Sequence, residues 1–348
     1  MSVNEPLLAV EDLTTTFNTD AGTLVAVDGI DFTVEEGETV CIVGESGSGK
    51  TVATESITRL VKEPPGNVSG SVRFRGTDLL EMAPEDLRNV RGNNIAHIFQ
   101  NPQDALNHVF TVGWQIVEAI TIHEDVSKAE AERRAIDLLD DVGVANASAR
   151  IDDYPHEFSG GQKQRVMIAM ALATNPDLLI ADEPTTALDV TVQRQILDLL
   201  DDLKDEFDMG VLFVTHDLGV VAEIADRVVV MYAGKVMERG DVFDIFEQPA
   251  HPYTQALMRC LPDKGEDVAG IPGRLPDPVD PPDGCRFAPR CEHAVEDCRI
   301  GDQPQEIPLD EDHQVSCVYY GRGFDSSVIR DEELELDMST EGGEFADD

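Results

Sequence analysis

Eight residues, GESGSGKT from Gly44 to Thr51, have the types and spacing that hold a phosphate chain. In the pattern G-x-x-x-x-G-K-[ST], glycines let successive backbone N–H groups face one anion. Lys50 is expected to reach the β- and γ-phosphates, and the Thr51 hydroxyl to bind Mg²⁺. A predicted buried strand precedes the stretch and a predicted helix follows it, so the helix N-terminus adds positive charge. The predicted nucleoside triphosphate site comprises Gly44, Glu45, Ser46, Gly47, Ser48, Gly49, Lys50 and Thr51.

A second stretch, LLIADEP from Leu178 to Pro184, ends an apolar strand with two adjacent acids. A buried carboxylate without a partner is costly, and a bound Mg²⁺ ion supplies that partner. We expect Asp182 to hold the metal, directly or through water. We expect Glu183 to polarise the water that attacks the γ-phosphate. With the phosphate-binding loop, this pair predicts an enzyme that hydrolyses a nucleoside triphosphate.

A third stretch, EFSGGQKQR, places Ser159, Gly160 and Gly161 before a helix that is predicted to begin near Gln162. It is a second helix N-terminus suited to an anion and is separate from the first. One nucleotide bound by one chain has no need of two such loops. Two copies arranged head to tail do need them, because each Ser-Gly-Gly loop can close over the nucleotide held by the other.

These stretches, in this order, resemble the ATP-binding-cassette (ABC) ATPases, and the resemblance covers about residues 7 to 245. It implies ATP and Mg²⁺ as ligands. Gln100, in HIFQNP, looks like the glutamine that senses Mg²⁺ and the γ-phosphate. His216, after VLFVT, looks like the histidine that contacts the γ-phosphate. Asp189 matches the loop that couples the two sites of a dimer.

Two positions leave room for alternatives within this resemblance. Phe17 is the candidate for the aromatic residue that stacks on adenine, although it could equally be a core residue. Leu24 or Val25 could share the role. Phe158 stands where the family usually has leucine, and this apolar exchange is expected to preserve packing.

Several segments resemble the ATPases of dipeptide, oligopeptide and nickel importers: DEPTTALDVTVQRQIL, THDLGVVAEIADRVVVMYAGKVME and HPYTQALM. The resemblance implies a peripheral subunit at the cytoplasmic face of the cell membrane, driven by closing and opening of an ATPase dimer. The implied partners are two transmembrane permeases, a second related ATPase or another copy, and an external substrate-binding protein. Nickel or oligosaccharide import is an alternative cargo. A soluble ABC ATPase acting in translation or DNA repair is the alternative of another class.

Four of the six cysteines lie close together near the C-terminus. They are Cys285, Cys291, Cys298 and Cys317. Soft thiolates favour iron–sulfur clusters or zinc, and the C-x₂-C pair of a zinc ribbon is absent here. In the importer ATPases that the chain resembles, this extension is associated with a [4Fe–4S] cluster. Zinc and reduced structural cysteines are the alternatives, with His293 and His313 as substitute ligands.

The charge balance excludes one class of partner. The chain has 69 acids and 26 bases, a formal net charge of −43. Such a charge repels nucleic acids at long range, so we expect no nucleic-acid partner. The acids lie on predicted solvent faces, as in DLLDDLKDEFD, which we interpret as the surface of a halophile protein. The N-terminus lacks the order of a signal peptide, and no apolar run approaches the ~18 residues of a membrane helix.

Alternating strands and helices predict an α/β fold with a largely parallel sheet. Combined with the resemblance, this implies an ABC-type P-loop ATPase with a RecA-like parallel sheet core, an N-terminal antiparallel β subdomain, a helical signature subdomain and a small Cys-rich C-terminal extension. The helix that begins at Lys50 is expected to run to about Val61. The expected boundaries are 1–246 for the ATPase domain, about 101–173 for its helical subdomain, 247–321 for the extension and 322–348 for an acidic disordered tail.

Overall fold

The computed structural model describes residues 5–100, 105–186, 188–261, 270–310 and 312–329 as a mixed α/β fold with two sheets. Its strands are β1 (Leu8–Thr19), β2 (Gly22–Val34), β3 (Thr39–Val43), β4 (Gly66–Phe74), β5 (Thr77–Asp78), β6 (Ile95–Ile98), β7 (Leu178–Asp182), β8 (Gly210–Thr215), β9 (Arg227–Tyr232), β10 (Lys235–Asp241), β11 (Ile307–Pro308) and β12 (Gln314–Val315). Its α-helices are α1 (Lys50–Ile57), α2 (Pro84–Val90), α3 (Val112–His123), α4 (Lys128–Asp141), α5 (Ala147–Arg150), α6 (Gly160–Ala171), α7 (Val190–Phe207), α8 (Leu218–Ile224), α9 (Val242–Glu247) and α10 (Pro252–Met258). Short 3₁₀ helices cover Pro155–Glu157, Glu296–Arg299, Val318–Tyr320 and Ser326–Val328.

The smaller sheet is antiparallel, with strand order β2-β1-β4-β5. Its apolar side chains, among them Leu8, Val10 and Phe32, are buried in one core with the first helix. A hydrogen bond of 2.7 Å between the buried hydroxyls of Thr15 and Ser56 ties β1 to α1. The predicted N-terminal antiparallel subdomain is therefore confirmed, and it lies against the helix that follows the phosphate-binding loop.

The larger sheet has strand order β11-β12-β10-β9-β3-β8-β7-β6, and its strands from β9 to β6 are parallel. Every residue of β3, β7 and β8 is buried, as expected for parallel strands covered on both faces. The carboxyl ends of parallel strands meet at one edge of a sheet, where ligands bind in open α/β folds. This edge carries the phosphate-binding loop after β3, the acidic pair at the end of β7 and His216 after β8.

Three helices of the helical subdomain have N-termini that are capped by side chains. Thr111, Ser127 and Ser159 each accept a hydrogen bond from a backbone N–H in the first turn of α3, α4 and α6. Such caps satisfy N–H groups that have no partner within the helix. None of the helices in the described part of the chain combines the length and the apolar composition that a membrane crossing requires.

Two boundaries differ from expectation, and one strand pairing adds to it. α1 ends at Ile57 rather than near Val61, because Arg59 has a left-handed backbone with φ of 53°. The extension is joined to the main sheet, since β12 pairs with β10. Residues 322–329 are not a loose tail: Ile329 is buried and its carbonyl accepts a hydrogen bond from Gln255 at 2.9 Å. The rest of the expected tail, 330–348, lies outside the described residues.

Candidate active site

The loop between β3 and α1 follows a path that a side chain would block. A Cβ added at Gly44 would lie 2.1 Å from the Met231 carbonyl oxygen. Gly49 has φ of 101°, and its Cβ would lie 2.3 Å from the Ala26 carbonyl oxygen. Both positions therefore require glycine, because backbone atoms cannot yield as a flexible side chain would. The result is a tight loop that ends at the N-terminus of α1, where backbone N–H groups attract anions.

Lys50 is folded back onto this loop. Its side chain is buried, and Nζ donates to the carbonyls of Gly44 at 2.7 Å and Glu45 at 3.0 Å. Burial lowers the pKa of Lys50, while the carboxylates of Glu183, Asp182 and Glu45 act in the opposite direction. The ammonium group is thus held beside the loop with donors that a phosphate chain can take over.

Asp182 is a buried carboxylate with one free oxygen. Thr51 donates a hydrogen bond to it, while Asp182 Oδ1 has no hydrogen-bond partner. Burial raises the pKa of Asp182, the adjacent Glu183 raises it further, and Thr51 and Lys50 lower it. An orphaned buried carboxylate oxygen beside a hydroxyl suits a hard divalent cation, which prefers oxygen ligands. The residues present therefore fit a magnesium ion held by Asp182 and Thr51.

Glu183 collects the other polar side chains of the site. Its Oε2 accepts from Gln100 Nε2 at 2.8 Å and Thr186 Oγ1 at 2.9 Å, and its Oε1 lies 3.0 Å from His216 Nδ1. Burial acts to raise the pKa of Glu183, but the hydrogen bonds from His216, Thr186 and Gln100 outweigh it and the pKa is lowered. The backbone has a left-handed φ of 46°, fixed by a 2.8 Å hydrogen bond to the Val214 carbonyl. Glu183 is therefore an ionised, oriented carboxylate.

Two neighbouring cavities run along the loop. One, of about 490 Å³, is lined by Lys50 and Thr51 together with Leu24 and Val25 of β2. The other, of about 710 Å³, is lined by Glu183 and His216 among others. Phe17 lies on β1, half-buried against β2 and β4, and is not among the described residues that line either cavity. The volumes match those of small-molecule sites.

The Ser-Gly-Gly loop lies elsewhere and faces solvent. Ser159 and Gly160 are exposed, and a Cβ added at Gly160 would meet nothing within 4 Å. Ser159 and Gln162 cap α6 reciprocally, with Gln162 N donating to Ser159 Oγ at 3.3 Å. Gly161 is packed closely, since its Cβ would lie 2.7 Å from the Val192 side chain. These residues do not line the cavities beside the phosphate-binding loop of their own chain.

Two further predicted positions lie near this surface. Asp189 is exposed and caps α7 by accepting from Val192 N at 3.0 Å, while Ala187, two residues earlier, lies outside the described residues. Phe158 is buried, with the Arg150 guanidinium 4.0 Å above its ring. A phenylalanine therefore packs where the family usually has leucine, with a cation–π contact in addition.

The four C-terminal cysteines form one group. Cys285, Cys298 and Cys317 are buried, Cys291 is half-buried, and each thiol is close enough to the others to interact electrostatically. Burial, with smaller contributions from the neighbouring cysteines, raises the pKa of Cys285 and Cys291 to about 11 and that of Cys317 to about 12. His313 does not join them, because its Nε2 bonds the buried Glu238 at 2.7 Å.

Sequence reasoning missed a set of residues that connects the extension to the phosphate-binding loop. The Arg290 guanidinium forms a bidentate ion pair with Glu45, and the Tyr253 hydroxyl accepts from the Glu45 backbone N–H at 2.9 Å. The available signal was the pair of arginines in CRFAPRC, between Cys285 and Cys291. Spacing within a loop does not reveal which distant element it contacts.

Comparisons with known proteins agree with this geometry. The ABC transporter family model matches residues 27–186, and the model of the oligopeptide/dipeptide transporter C-terminal region matches residues 237–298. A peptide import ATP-binding protein of Brucella abortus (strain 2308) is 51% identical over 84% of this chain and 89% of its own length. The chain belongs to the ABC transporter ATP-binding proteins of the oligopeptide/dipeptide import type. Members of this family hydrolyse ATP with Mg²⁺, and this ABC protein is accordingly an ATPase.

Further relatives support the same assignment. A second peptide import ATP-binding protein of Brucella abortus (strain 2308) is 49% identical over 90% of this ABC protein and 97% of its own length. The dimeric, post-hydrolysis ATP-binding cassette MJ0796, solved with ADP and phosphate, has a TM-score of 0.61 and 28% identity, covering 68% of this chain and 98% of that chain. CbiO1 from Clostridium perfringens has a TM-score of 0.59 and 27% identity, and the match covers 70% of this chain and 92% of that chain.

Proposed function

We propose that this ABC protein powers the import of dipeptides and oligopeptides across the cell membrane, with Glu183 as the base that activates water. The observation that carries the catalytic part is the carboxylate of Glu183, hydrogen-bonded by Gln100, Thr186 and His216 at the end of β7. The names of the Brucella relatives support the cargo.

The reaction follows from these side chains. Lys50 leaves the carbonyls of Gly44 and Glu45 for the β- and γ-phosphates, since charged oxygens are stronger acceptors than neutral carbonyls. A magnesium ion held by Thr51, Asp182 and Gln100 would neutralise phosphate charge. Glu183 is ionised because its pKa is lowered, so it can accept a proton from the attacking water.

A second copy or a related ATPase completes the site in our proposal. Ser159 and Gly160 are exposed and Gly161 and Gln162 half-buried at the N-terminus of α6, and these four residues would contact the nucleotide bound to the partner. Asp189 would couple the two sites. Closing on ATP and reopening after hydrolysis would transmit work to the membrane partners.

An apolar groove supports docking to a membrane permease. It has a volume of about 330 Å³ and lies between Phe99 and the helical subdomain, where Met167 and Met170 line it. Trp114 is 41% exposed and stacks on Phe110 with ring centroids 3.9 Å apart. Exposed aromatic pairs are suited to filling a groove on a partner. We assign the groove and the separate Phe110–Trp114 pair to contacts with two transmembrane permeases, which would place the protein at the cytoplasmic face, with an external binding protein supplying cargo.

Uptake measurements test the import proposal. A strain lacking this chain should fail to accumulate radiolabelled di- and tripeptides, and wild-type protein but not the Glu183→Gln variant should restore uptake. Unchanged peptide uptake with lost nickel or oligosaccharide uptake would assign those alternative cargoes. The protein should also co-purify with two permeases from solubilised membranes. A ribosome-bound pool instead would favour the soluble ABC ATPase and contradict import.

We also propose that the four cysteines hold a [4Fe–4S] cluster. Four free thiols, three buried and one half-buried, form one group, which fits soft metal binding. The C-x₂-C pair of a zinc ribbon is absent from their spacing, which favours an iron–sulfur cluster over zinc.

Anaerobic purification tests the cluster. Roughly four irons and four sulfides per chain are expected in the wild type, with loss in Cys317→Ser and retention in Cys260→Ser. Cys260 lies outside the group and serves as the matched control. Zinc at one ion per chain, or no metal with all four thiols titrating as free, would contradict the cluster.

The acidic surface suggests a high-salt cytoplasm as the working solvent. We propose that the formal charge of −43 is an adaptation to that solvent. The melting temperature should rise steadily with KCl up to molar concentrations. A melting temperature that is highest in dilute buffer would contradict the proposal.

A further inference from the structure

We propose that the C-terminal extension is part of the ATP site: residues 271–278, which we call the strap, form a wall for the base and sugar, and Arg290 fastens this wall to the phosphate-binding loop. The proposal rests on the nucleotide site proposed above and adds to it a second segment of the chain.

The strap lines both cavities of the site. Leu275, Pro276, Asp277 and Pro278 line the cavity that holds Lys50, and Leu275 also lines the cavity beside Glu183. One backbone hydrogen bond joins the strap to β2: the Val25 N–H donates to the Pro278 carbonyl at 2.9 Å. A Cβ added at Gly47 would lie 3.5 Å from Leu275 Cδ1, so Leu275 is in van der Waals range of the phosphate-binding loop.

The chemistry of this wall suits the base and sugar rather than the phosphates. Phosphates are met by N–H groups and Lys50, whereas a base needs apolar contact. Leu24 and Val25 of β2, with Leu275 and two strap prolines, provide the apolar surface of the first cavity. No phenylalanine, tyrosine or tryptophan is among the described residues that line it. The strap is therefore placed to contact the base in a cavity that no aromatic residue of the described ranges lines.

Arg290 joins the strap and the loop through one buried guanidinium. Nη1 and Nη2 donate to the two carboxylate oxygens of Glu45 at 2.6 and 3.0 Å. Nε donates to the Pro272 carbonyl and Nη2 to the Ile271 carbonyl, each at 2.8 Å. The Arg290 side chain is 5% exposed. Since one rigid group bonds both segments, moving the strap away from the loop requires breaking either the two hydrogen bonds to strap carbonyls or the buried bidentate pair with Glu45.

A second arginine fixes the other side of the same loop. Arg286 is buried, lines the first cavity and pairs with Asp28 of β2. Both arginines lie between Cys285 and Cys291, so the loop that carries two of the grouped cysteines also positions the strap. Arg290 is a positioning residue in this arrangement, and Leu275 is the residue that touches the nucleotide.

Competition binding separates a wall for the base from a general distortion of the loop. The full-length protein is titrated with a fluorescent N-methylanthraniloyl-ADP, which is displaced by unlabelled ADP or by inorganic triphosphate. Leu275→Ala should weaken ADP roughly five- to tenfold through lost apolar contact and leave inorganic triphosphate unchanged. Lys50→Ala should weaken both.

The role of Arg290 is tested by a double-mutant cycle with Glu45→Ala. Arg290→Ala should weaken ADP about tenfold or more, and Glu45→Ala with Arg290→Ala should be little worse than either alone. Arg73→Ala, which removes an exposed bidentate pair with Glu11, is the matched control and should bind as wild type. If Arg290→Ala does not fold, Leu275→Ala decides the proposal, because Leu275 is half-buried and its truncation should be tolerated.

The outcomes separate the two proposals. Wild-type ADP affinity in Leu275→Ala overturns the wall, as does an equal loss of ADP and inorganic triphosphate. Additive effects of Arg290→Ala and Glu45→Ala overturn the fastening role. Unchanged binding of both ligands in Lys50→Ala would instead overturn the nucleotide site itself.

Discussion

Two helix N-termini preceded by serine- and glycine-rich loops differ sharply in their surroundings. The phosphate-binding loop before α1 is enclosed. Lys50 is buried, and two glycines of the loop pack against backbone carbonyls of neighbouring segments. Arg290 and Tyr253 form hydrogen bonds with Glu45. The Ser-Gly-Gly loop before α6 is open, and space around Gly160 is empty. The same local chemistry therefore serves two tasks. The first loop is built to hold a ligand within its own chain, and the second is a free surface.

From this difference we infer that the open loop contacts a nucleotide only when a second ATPase chain brings one to it. Its own N–H groups are already satisfied in part, because Ser159 and Gln162 cap each other. In our proposal the enclosed loop binds nucleotide in one chain, whereas hydrolysis needs both loops on one nucleotide. Substitutions in the two loops should accordingly separate binding from turnover.

The largest loss of ATPase activity is expected on substitution of Glu183, the proposed base that acts on the nucleotide held between the two loops. Glu183→Gln removes the base but keeps a hydrogen-bonding side chain, so ATPase activity should fall by about 10³-fold while ATP binding persists. ATP should then hold two chains together, giving a dimer by size-exclusion chromatography with light scattering. Glu11→Gln, at an exposed site, should retain full activity. Residual turnover near the wild-type rate would remove Glu183 from the catalytic role.

Lys50→Ala and Gly160→Arg should have opposite signatures. Lys50→Ala loses charged hydrogen bonds to phosphate and should weaken ADP binding roughly 10- to 100-fold in the monomer. Gly160→Arg fits the empty space at its own site, so ADP binding should be unchanged. The arginine would obstruct the partner's nucleotide, and ATPase activity should fall by about 100-fold. Isothermal titration and ATPase assays on the same preparations check both. Loss of ADP binding in Gly160→Arg would contradict the division between the two loops.

A smaller effect is expected in the pH profile. Hydrogen bonds, above all from His216, lower the pKa of Glu183 against the opposing effect of burial. A base must be ionised, so ATPase activity should persist as the pH falls and decline only below the usual glutamate range of about 4.3. His216→Ala removes one hydrogen bond and should move this acidic limb to higher pH, besides lowering kcat. An unmoved limb in kcat, measured in wild type and His216→Ala from about pH 3 to pH 8, would show that His216 does not tune the pKa of Glu183.

The enclosed loop was predictable from sequence, and its surroundings were not. Glycine, lysine and threonine types at fixed spacing act through the local backbone, as do the acids that end β7, so pattern alone placed them at one sheet edge. The α/β class with a largely parallel sheet followed from periodicity, which reports burial, whereas the subdomains came from the resemblance to the ABC ATPases. Arg290, Arg286 and Pro278 of the strap contact Glu45, Asp28 and Val25 across more than 240 residues of chain, and no local pattern encodes such contacts. α1 ended early because of one left-handed residue, Arg59.

The smallest predicted effect concerns Ser159, whose hydroxyl has two roles that substitution can separate. Ser159→Ala removes the cap of α6 and should cost about 1 kcal/mol of unfolding free energy. Ser159→Asp keeps a capping oxygen and should retain wild-type stability, yet it places a negative charge against the partner's phosphate. ATPase activity should therefore fall further in Ser159→Asp than in Ser159→Ala, although the aspartate variant is the more stable. Chemical denaturation ranks the variants by unfolding free energy, and ATPase assays rank them by activity. If the ATPase activities of the two variants followed their stabilities, the Ser159 hydroxyl would act as a cap alone. The open loop would then lose its role in the partner's site.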